Sequence, residues 1–156
     1  MNMNILVSAC LLDVNCKYNG ASNKNKELYS YMDKYNLIPV CPEQLGGMPT
    51  PRYPCEILGG DAKDVIEGRG KVVNSMGEDV TYHFIKGAEE VVNLANLYVC
   101  NAAILKSRSP SCGVGKVYDG SFTSTLKEGN GICAELLKQK GFEVYTEMDF
   151  KRILKD

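Results

Sequence analysis

Apolar positions along the chain alternate between two rhythms, compact β-like runs and stripes at helical spacing. Asn4 to Ala9 is a short apolar run of β-compatible residues, which predicts a buried strand ending at Cys10. Asn23 to Tyr35 then places Leu28, Tyr31, Met32 and Tyr35 one helical turn apart, with Ser22 as the N-cap. Leu37 to Val40 predicts a second strand that ends at Cys41. The longest helix is expected over Gly77 to Tyr98, where Phe84, Ala88, Val91, Ala95 and Tyr98 form one stripe and Asp79 sits near the start. Ala102 to Leu105 reads as a third strand, Asn130 to Lys140 as a helix closed by Gly141, Phe142 to Tyr145 as a fourth strand and Met148 to Leu154 as a last helix.

Strands alternating with helices predict a single α/β domain over residues 1–156: a doubly wound, mostly parallel sheet, Rossmann-like, with helices on both faces. Ligands bind such sheets beyond the carboxyl ends of the strands, near the switch in strand order. The stretch from Pro42 to Gly70 breaks the rhythm. It is rich in Pro and Gly, which favours a long structured loop with a short hairpin around Val65 and Val72. Loops of this length in compact domains are usually functional, so it is a candidate wall of a binding site.

Composition narrows the function. With 18 basic and 19 acidic side chains spread along the chain, there is no electrostatic footprint for gripping a nucleic-acid polymer. The opening residues carry no basic leader and no segment reaches membrane-spanning length, so a soluble cytoplasmic protein with no membrane partner is expected. Seven cysteines are many for 156 residues, and an odd number leaves one unpaired, which points to burial, catalysis or metal rather than a disulfide framework.

Three of the seven fall at corresponding places. Cys10 ends the first strand, Cys41 ends the second and Cys112 lies in the polar loop leaving the third. Adjacent strand ends of a parallel sheet lie only about 5 to 10 Å apart, so the fold brings together thiols that are distant in sequence. All three sit in Gly-, Pro- and Ser-rich segments rather than on apolar faces. Cys100 and Cys133 read as core residues, while Cys16 and Cys55 fit either role. Soft thiolates select zinc, copper(I) or an iron-sulfur cluster. A structural zinc site is disfavoured by the absence of any Cys-x-x-Cys pair, and three cysteines better suit a cluster with one open iron. His83, the one histidine, reads as a helix-face residue, which leaves no His-dependent nucleophilic triad.

The sequences Val7-Ser8-Ala9-Cys10-Leu11-Leu12, Cys41-Pro42-Glu43-Gln44-Leu45-Gly46-Gly47-Met48-Pro49-Thr50-Pro51-Arg52 and Lys106-Ser107-Arg108-Ser109-Pro110-Ser111-Cys112-Gly113 together resemble the bacterial thiouracil desulfidase family, domain of unknown function 523. The resemblance runs from about Asn4 to Lys140. It implies a four-iron, four-sulfur cluster on Cys10, Cys41 and Cys112, with the fourth iron open to the sulfur of a thiolated pyrimidine. The substrate would be 2- or 4-thiouracil or a thiouridine nucleotide, converted without redox change to uracil and hydrogen sulfide. By position, the family's acidic residue and serine map onto Glu43 and Ser109, with Ser107 and Ser111 as competitors for the serine. Cys16 has no counterpart in the pattern. Arg52, Lys106 and Ser111 become candidates for holding the substrate, the two cations for a phosphate if it carries one.

Alternatives stay open for each role. Glu43 can instead be a surface carboxylate or an ion-pair partner, for example of Arg52, and Ser109 can be a turn-stabilising hydroxyl before Pro110. The whole chain can be a cluster or metal carrier or sensor without turnover, or a thiol oxidoreductase cycling Cys10 and Cys16, although their spacing is unlike Cys-x-x-Cys.

Overall fold

Each apolar run in the computed structural model, which describes residues 3–156, becomes a strand whose two faces point into separate cores. In chain order the elements are β1 (Asn4–Ser8), α1 (Lys26–Tyr29), β2 (Asn36–Val40), α2 (Pro42–Leu45), β3 (Cys55–Leu58), α3 (Ala62–Ile66), β4 (Lys71–Asn74), α4 (Thr81–Leu97), β5 (Ala102–Leu105), β6 (Lys116–Tyr118), β7 (Leu126–Glu128), α5 (Ile132–Gln139) and β8 (Glu143–Thr146). Among the described residues, β2, β1, β5 and β8 form a parallel sheet in that order. The period-two alternation is visible in the packing. Leu6, Val40, Ala103 and Leu105 face one core, shared with Phe84, Ala88 and Val91 of α4 and Ile132 and Leu137 of α5. Ile5, Val7, Leu37 and Ile104 face the other, closed by Leu28, Tyr31, Phe150 and Leu154. Helical segments therefore cover both faces, as the alternating pattern predicts. Pro39 is tolerated inside β2 because that strand lies at the sheet edge.

Several elements differ from their sequence-based expectation, each for a local reason. The helix expected over Asn23 to Tyr35 is one α turn, Lys26–Tyr29, followed by a 3-10 turn over Ser30–Asp33. The Ser30 hydroxyl donates to the Glu27 carbonyl and competes with the continuing helix. Its N-cap is Asn25, whose side chain accepts from the Leu28 N–H, while Ser22 donates to Asp13 instead. In the long loop, β3 and β4 do pair as an antiparallel ribbon that includes Val72, but Val65 lies on α3, which is inserted between them and started by an Asp61/Asp64 capping box. Pro42 to Leu45 is a helical turn with Pro at its start, where a loop is expected. Met148 to Leu154 contains only a 3-10 turn over Phe150–Arg152. The ribbon of β6 and β7 has no sequence counterpart, because three-residue, largely exposed strands carry no alternation to read.

Among the described residues no helix is long and apolar enough to cross a membrane. The strand order reverses between β1 and β5: the chain leaves β1 for β2 on one side and returns to β5 on the other. The carboxyl ends of these two strands bound the crevice where the chemistry-bearing residues gather.

Candidate active site

Each strand of the parallel sheet delivers a reactive side chain just past its carboxyl end. Cys10 lies in the 3-10 turn that follows β1, Cys41 is the N-cap of α2, the segment Lys106 to Cys112 follows β5, and Glu147 follows β8. Together they line a cavity of about 530 Å³, except Glu147, which stands behind Lys106 and Ser107. Backbone contacts fix the two arms that carry Glu43 and Cys112. α2 rides directly on α4: a Cβ at Gly87 would lie 1.9 Å from the Pro42 carbonyl oxygen, and one at Gly46 would lie 1.9 Å from that of His83. His83 serves the same contact, its Nδ1 lying 2.7 Å from the Gly46 carbonyl oxygen, and it is remote from the thiols' cavity lining. The Cys112 arm is clamped on the start of α5, where the N–H groups of Ile132 and Cys133 donate to the carbonyls of Pro110 and Ser111 at 2.8 Å. Gly131 is needed there, because a Cβ would meet the Ser111 carbonyl carbon at 2.4 Å.

Cys10, Cys16, Cys41, Cys55 and Cys112 all line the cavity, and no cysteine is engaged in a disulfide. Cys16, ambiguous in sequence, stands between two of the expected ligands. Its thiol hydrogen-bonds to both Cys10 and Cys41 and is the main reason each of these has its pKa lowered to about 7; the Asn23 amide, 3.4 Å from the Cys10 sulfur, adds to the effect. The same contacts with Cys10 and Cys41, together with burial, push Cys16 itself up. Burial pushes the Cys112 thiol up to about 12, against hydrogen bonds from Ser8 and Ser111. Burial does the same to Cys55, also to about 12. Cys133 is wholly enclosed in the core, and Cys100 packs against that core away from the cavity.

Among the described residues no group of three His, Cys, Asp or Glu side chains is arranged to hold a single metal ion. The donors lining the cavity are nonetheless soft thiols, two of them biased toward thiolate, in a space of about 530 Å³. That donor chemistry suits a polynuclear, thiolate-held centre rather than a hard cation.

A continuous polar chain runs beside the thiols. Arg52, whose side chain is only 4% exposed, donates through Nε to Glu43 Oε1 at 3.1 Å. Its Nη1 donates to the Pro49 carbonyl and the Thr50 hydroxyl, and its Nη2 to the Cys16 carbonyl at 2.9 Å. Four of its five N–H donors are thus committed within the protein. The other oxygen of Glu43 accepts from the Ser111 hydroxyl at 3.2 Å, and Ser111 Oγ lies 3.0 Å from Ser109 Oγ. Ser109 Oγ also accepts the backbone N–H groups of Ser111 and Cys112, so it closes the turn while lining the cavity. Lys106, which also lines the cavity, pairs with Glu147 at 3.3 Å. Ser107 donates to Glu147 through both its N–H and its hydroxyl, each at 2.8 Å. Burial alone would push the Glu147 carboxyl up, but these donors and the Lys106 ammonium outweigh it and hold it below the usual carboxylate range.

Sequence reasoning missed four participants. Ser8, buried at the end of β1, accepts the Lys106 N–H at 2.8 Å and works against the rise that burial imposes on the Cys112 thiol. Asn23 and the central placement of Cys16 depend on the loop after Cys10 folding back, which no periodicity announces. Glu147 was accessible by the rule that picked out Cys10 and Cys41, since it directly follows the fourth strand. The fourth is the turn between β6 and β7, whose Phe122 and Ser124 line the same cavity as the thiols.

A family model described as 2-thiouracil desulfurase matches residues 5–149 of this chain. The chain is 42% identical over 150 residues to YbbK, an uncharacterized protein of Bacillus subtilis (strain 168), covering 96% of this chain and 99% of that protein. Among solved structures it resembles the [4Fe-4S]-dependent thiouracil desulfidase TudS, with a TM-score of 0.85 and 34% identity, over 97% of this chain and 95% of the other.

Proposed function

This chain belongs to the 2-thiouracil desulfurase family, and from that premise we propose that it is a [4Fe-4S]-dependent desulfidase that converts thiouracil to uracil and hydrogen sulfide. Cys10, Cys41 and Cys112 would hold the cluster, leaving one iron without a protein ligand. When bound, such a cluster supplies a soft Lewis acid for a thiocarbonyl sulfur. The observation that carries the reading is the Arg52, Glu43, Ser111 and Ser109 chain, which lies against the same cavity as the thiols.

In this reading water replaces sulfur at one ring carbon: a C–O bond forms, the C–S bond breaks, and no electrons are gained or lost. Glu43 takes one proton from the attacking water at its carboxylate and passes it to the departing sulfur; the added hydroxyl loses the second as the carbonyl forms, so that both protons of the water end on hydrogen sulfide. Arg52 holds the carboxylate by one oxygen, so its position is set by the loop and not by the substrate. Ser111 holds the other oxygen, and Ser109, next in line, contacts the substrate or departing hydrosulfide as donor or acceptor. Lys106, which lines the cavity and is steadied by Glu147, is the cation offered to a substrate's polar substituents. Arg52 is thus a positioning residue for Glu43 more than a substrate ligand.

Anaerobic reconstitution with iron and sulfide, followed by assay of sulfide release from 2- and 4-thiouracil, tests the proposal. Glu43→Gln should keep its iron and lose about 10²- to 10⁴-fold in turnover. Cys112→Ala should fail to retain a full cluster; full iron loading with normal turnover in that variant removes Cys112 from the ligand set. A wild type that loads iron yet releases no sulfide from any thiolated pyrimidine would identify a carrier.

A further inference from the structure

The turn between β6 and β7 is built at a conformational cost that its sequence did not require. Phe122 adopts a left-handed backbone with φ 58°, and Ser124 follows with φ 59°, a region where Gly, Asn or Asp would sit without comparable strain. An aromatic ring placed there is 36% exposed, whereas Phe84 and Phe150 are buried at 1% and 3%. The turn is held from below by Glu56 of β3, a carboxylate only 8% exposed, whose Oε1 accepts the N–H of Gly120 at 2.9 Å and that of Phe122 at 3.1 Å. Gly120 presses on β3, for a Cβ there would meet the Ile57 carbonyl oxygen at 2.7 Å. Above, hydroxyls lock the tip: Ser121 Oγ lies 2.6 Å from Thr123 Oγ1, which lies 2.8 Å from that of Thr125. A strained, pinned turn thus holds an aromatic residue, one with no aromatic partner among the described residues, on the wall of the thiol-lined cavity.

We infer that Phe122 is the surface on which the planar ring of the substrate stacks, and that Glu56 is the positioning residue that holds it there. The inference rests on the reading of the cavity as a pyrimidine site. A flat, electron-poor ring gains most from an aromatic face whose backbone is already ordered, because little freedom is lost on binding. Phe carries no hydroxyl or amide, so its exposure at the cavity is not explained by hydrogen bonding. Uniform binding of this kind changes KM and leaves kcat.

The chain has no tryptophan, so Phe122→Trp places a single tryptophan, excited selectively beside the nine tyrosines, at the proposed contact. Uracil should quench its emission saturably in cluster-free protein. Phe122→Leu should raise KM for thiouracil about ten-fold, equal to about 1.4 kcal/mol, with kcat within about two-fold. Glu56→Leu should do the same, while Glu56→Gln, which keeps the accepting oxygen, should restore the wild-type KM. An unchanged KM in Phe122→Leu, or tryptophan emission indifferent to uracil, overturns the inference while an active wild type leaves the desulfidase reading standing. A wild type that neither binds uracil nor releases sulfide overturns both.

Discussion

Replacing Gly87 with Ala sets two physical effects of opposite sign against each other. Gly87 lies inside α4, and helix propensity alone predicts that Gly87→Ala stabilises the protein by about 1 kcal/mol. The packing predicts the reverse. The new Cβ would stand 1.9 Å from the Pro42 carbonyl oxygen and 3.2 Å from the Gly46 nitrogen, so α2 must lift by more than an ångström. That carbonyl is also the acceptor for the Gly46 N–H at 2.9 Å, which the shift would strain. Overpacking of this kind costs about 1 to 3 kcal/mol, and with a strained hydrogen bond of about 1 kcal/mol added, the net is a loss of about 2 kcal/mol. For a chain of this size that lowers Tm by about 4 to 8 °C. Because Pro42 stands between Cys41 and Glu43, the same shift should reduce iron loading and turnover together. Thermal unfolding of Gly87→Ala beside Asn96→Ala, an exposed α4 position where propensity acts alone, measures the sign. A Tm for Gly87→Ala equal to or above the wild type would refute the argument that α2 is seated by backbone contact.

Three further outcomes follow from the site. Arg52→Met should leave Glu43 without its buried cation and lower turnover about 10²-fold while iron loading stays near normal; undiminished kcat would show that Glu43 needs no such holder. Glu147 has a folded-state pKa below its unfolded one, so its contribution is present at neutral pH and is lost as pH falls through the folded value. Glu147→Gln should therefore be about 1 to 2 kcal/mol less stable than wild type in urea unfolding at pH 7, with the gap closing as the pH falls below the ordinary carboxylate range; a gap independent of pH would contradict the assignment. In cluster-free protein, iodoacetamide should label Cys10 and Cys41 with midpoints near pH 7, well ahead of Cys112, and Cys16→Ala should move both midpoints upward. Equal labelling of Cys112 would show that its burial is not maintained.

The strands, the two-faced core and the three cysteine positions were legible in the sequence because they rest on local rules. A run such as Ile5-Leu6-Val7 must be covered on both sides, and a parallel sheet then places whatever follows each strand on one edge. Glu43 and Ser109 were legible only through the resemblance of their motifs, since a carboxylate in a Pro-rich loop and a serine before a proline have ordinary structural uses. Tertiary structure decided which of the open alternatives are realised. The Arg52–Glu43 ion pair, one of the readings the sequence offers for Glu43, does form, and the carbonyls of Pro49 and Cys16 with the Thr50 hydroxyl hold the guanidinium turned inward to make it. Cys16 moved from an ambiguous thiol to the one between Cys10 and Cys41, and a buried carboxylate on β3 came to hold an aromatic turn from 66 residues away. Some of these pairings join near neighbours, such as Arg52 and Thr50, and others residues as distant as Glu56 and Phe122, through hydrogen bonds whose partners are chosen by the folded backbone. Periodicity determines which face of an element is buried; it carries no information about which polar group will stand opposite once the elements pack.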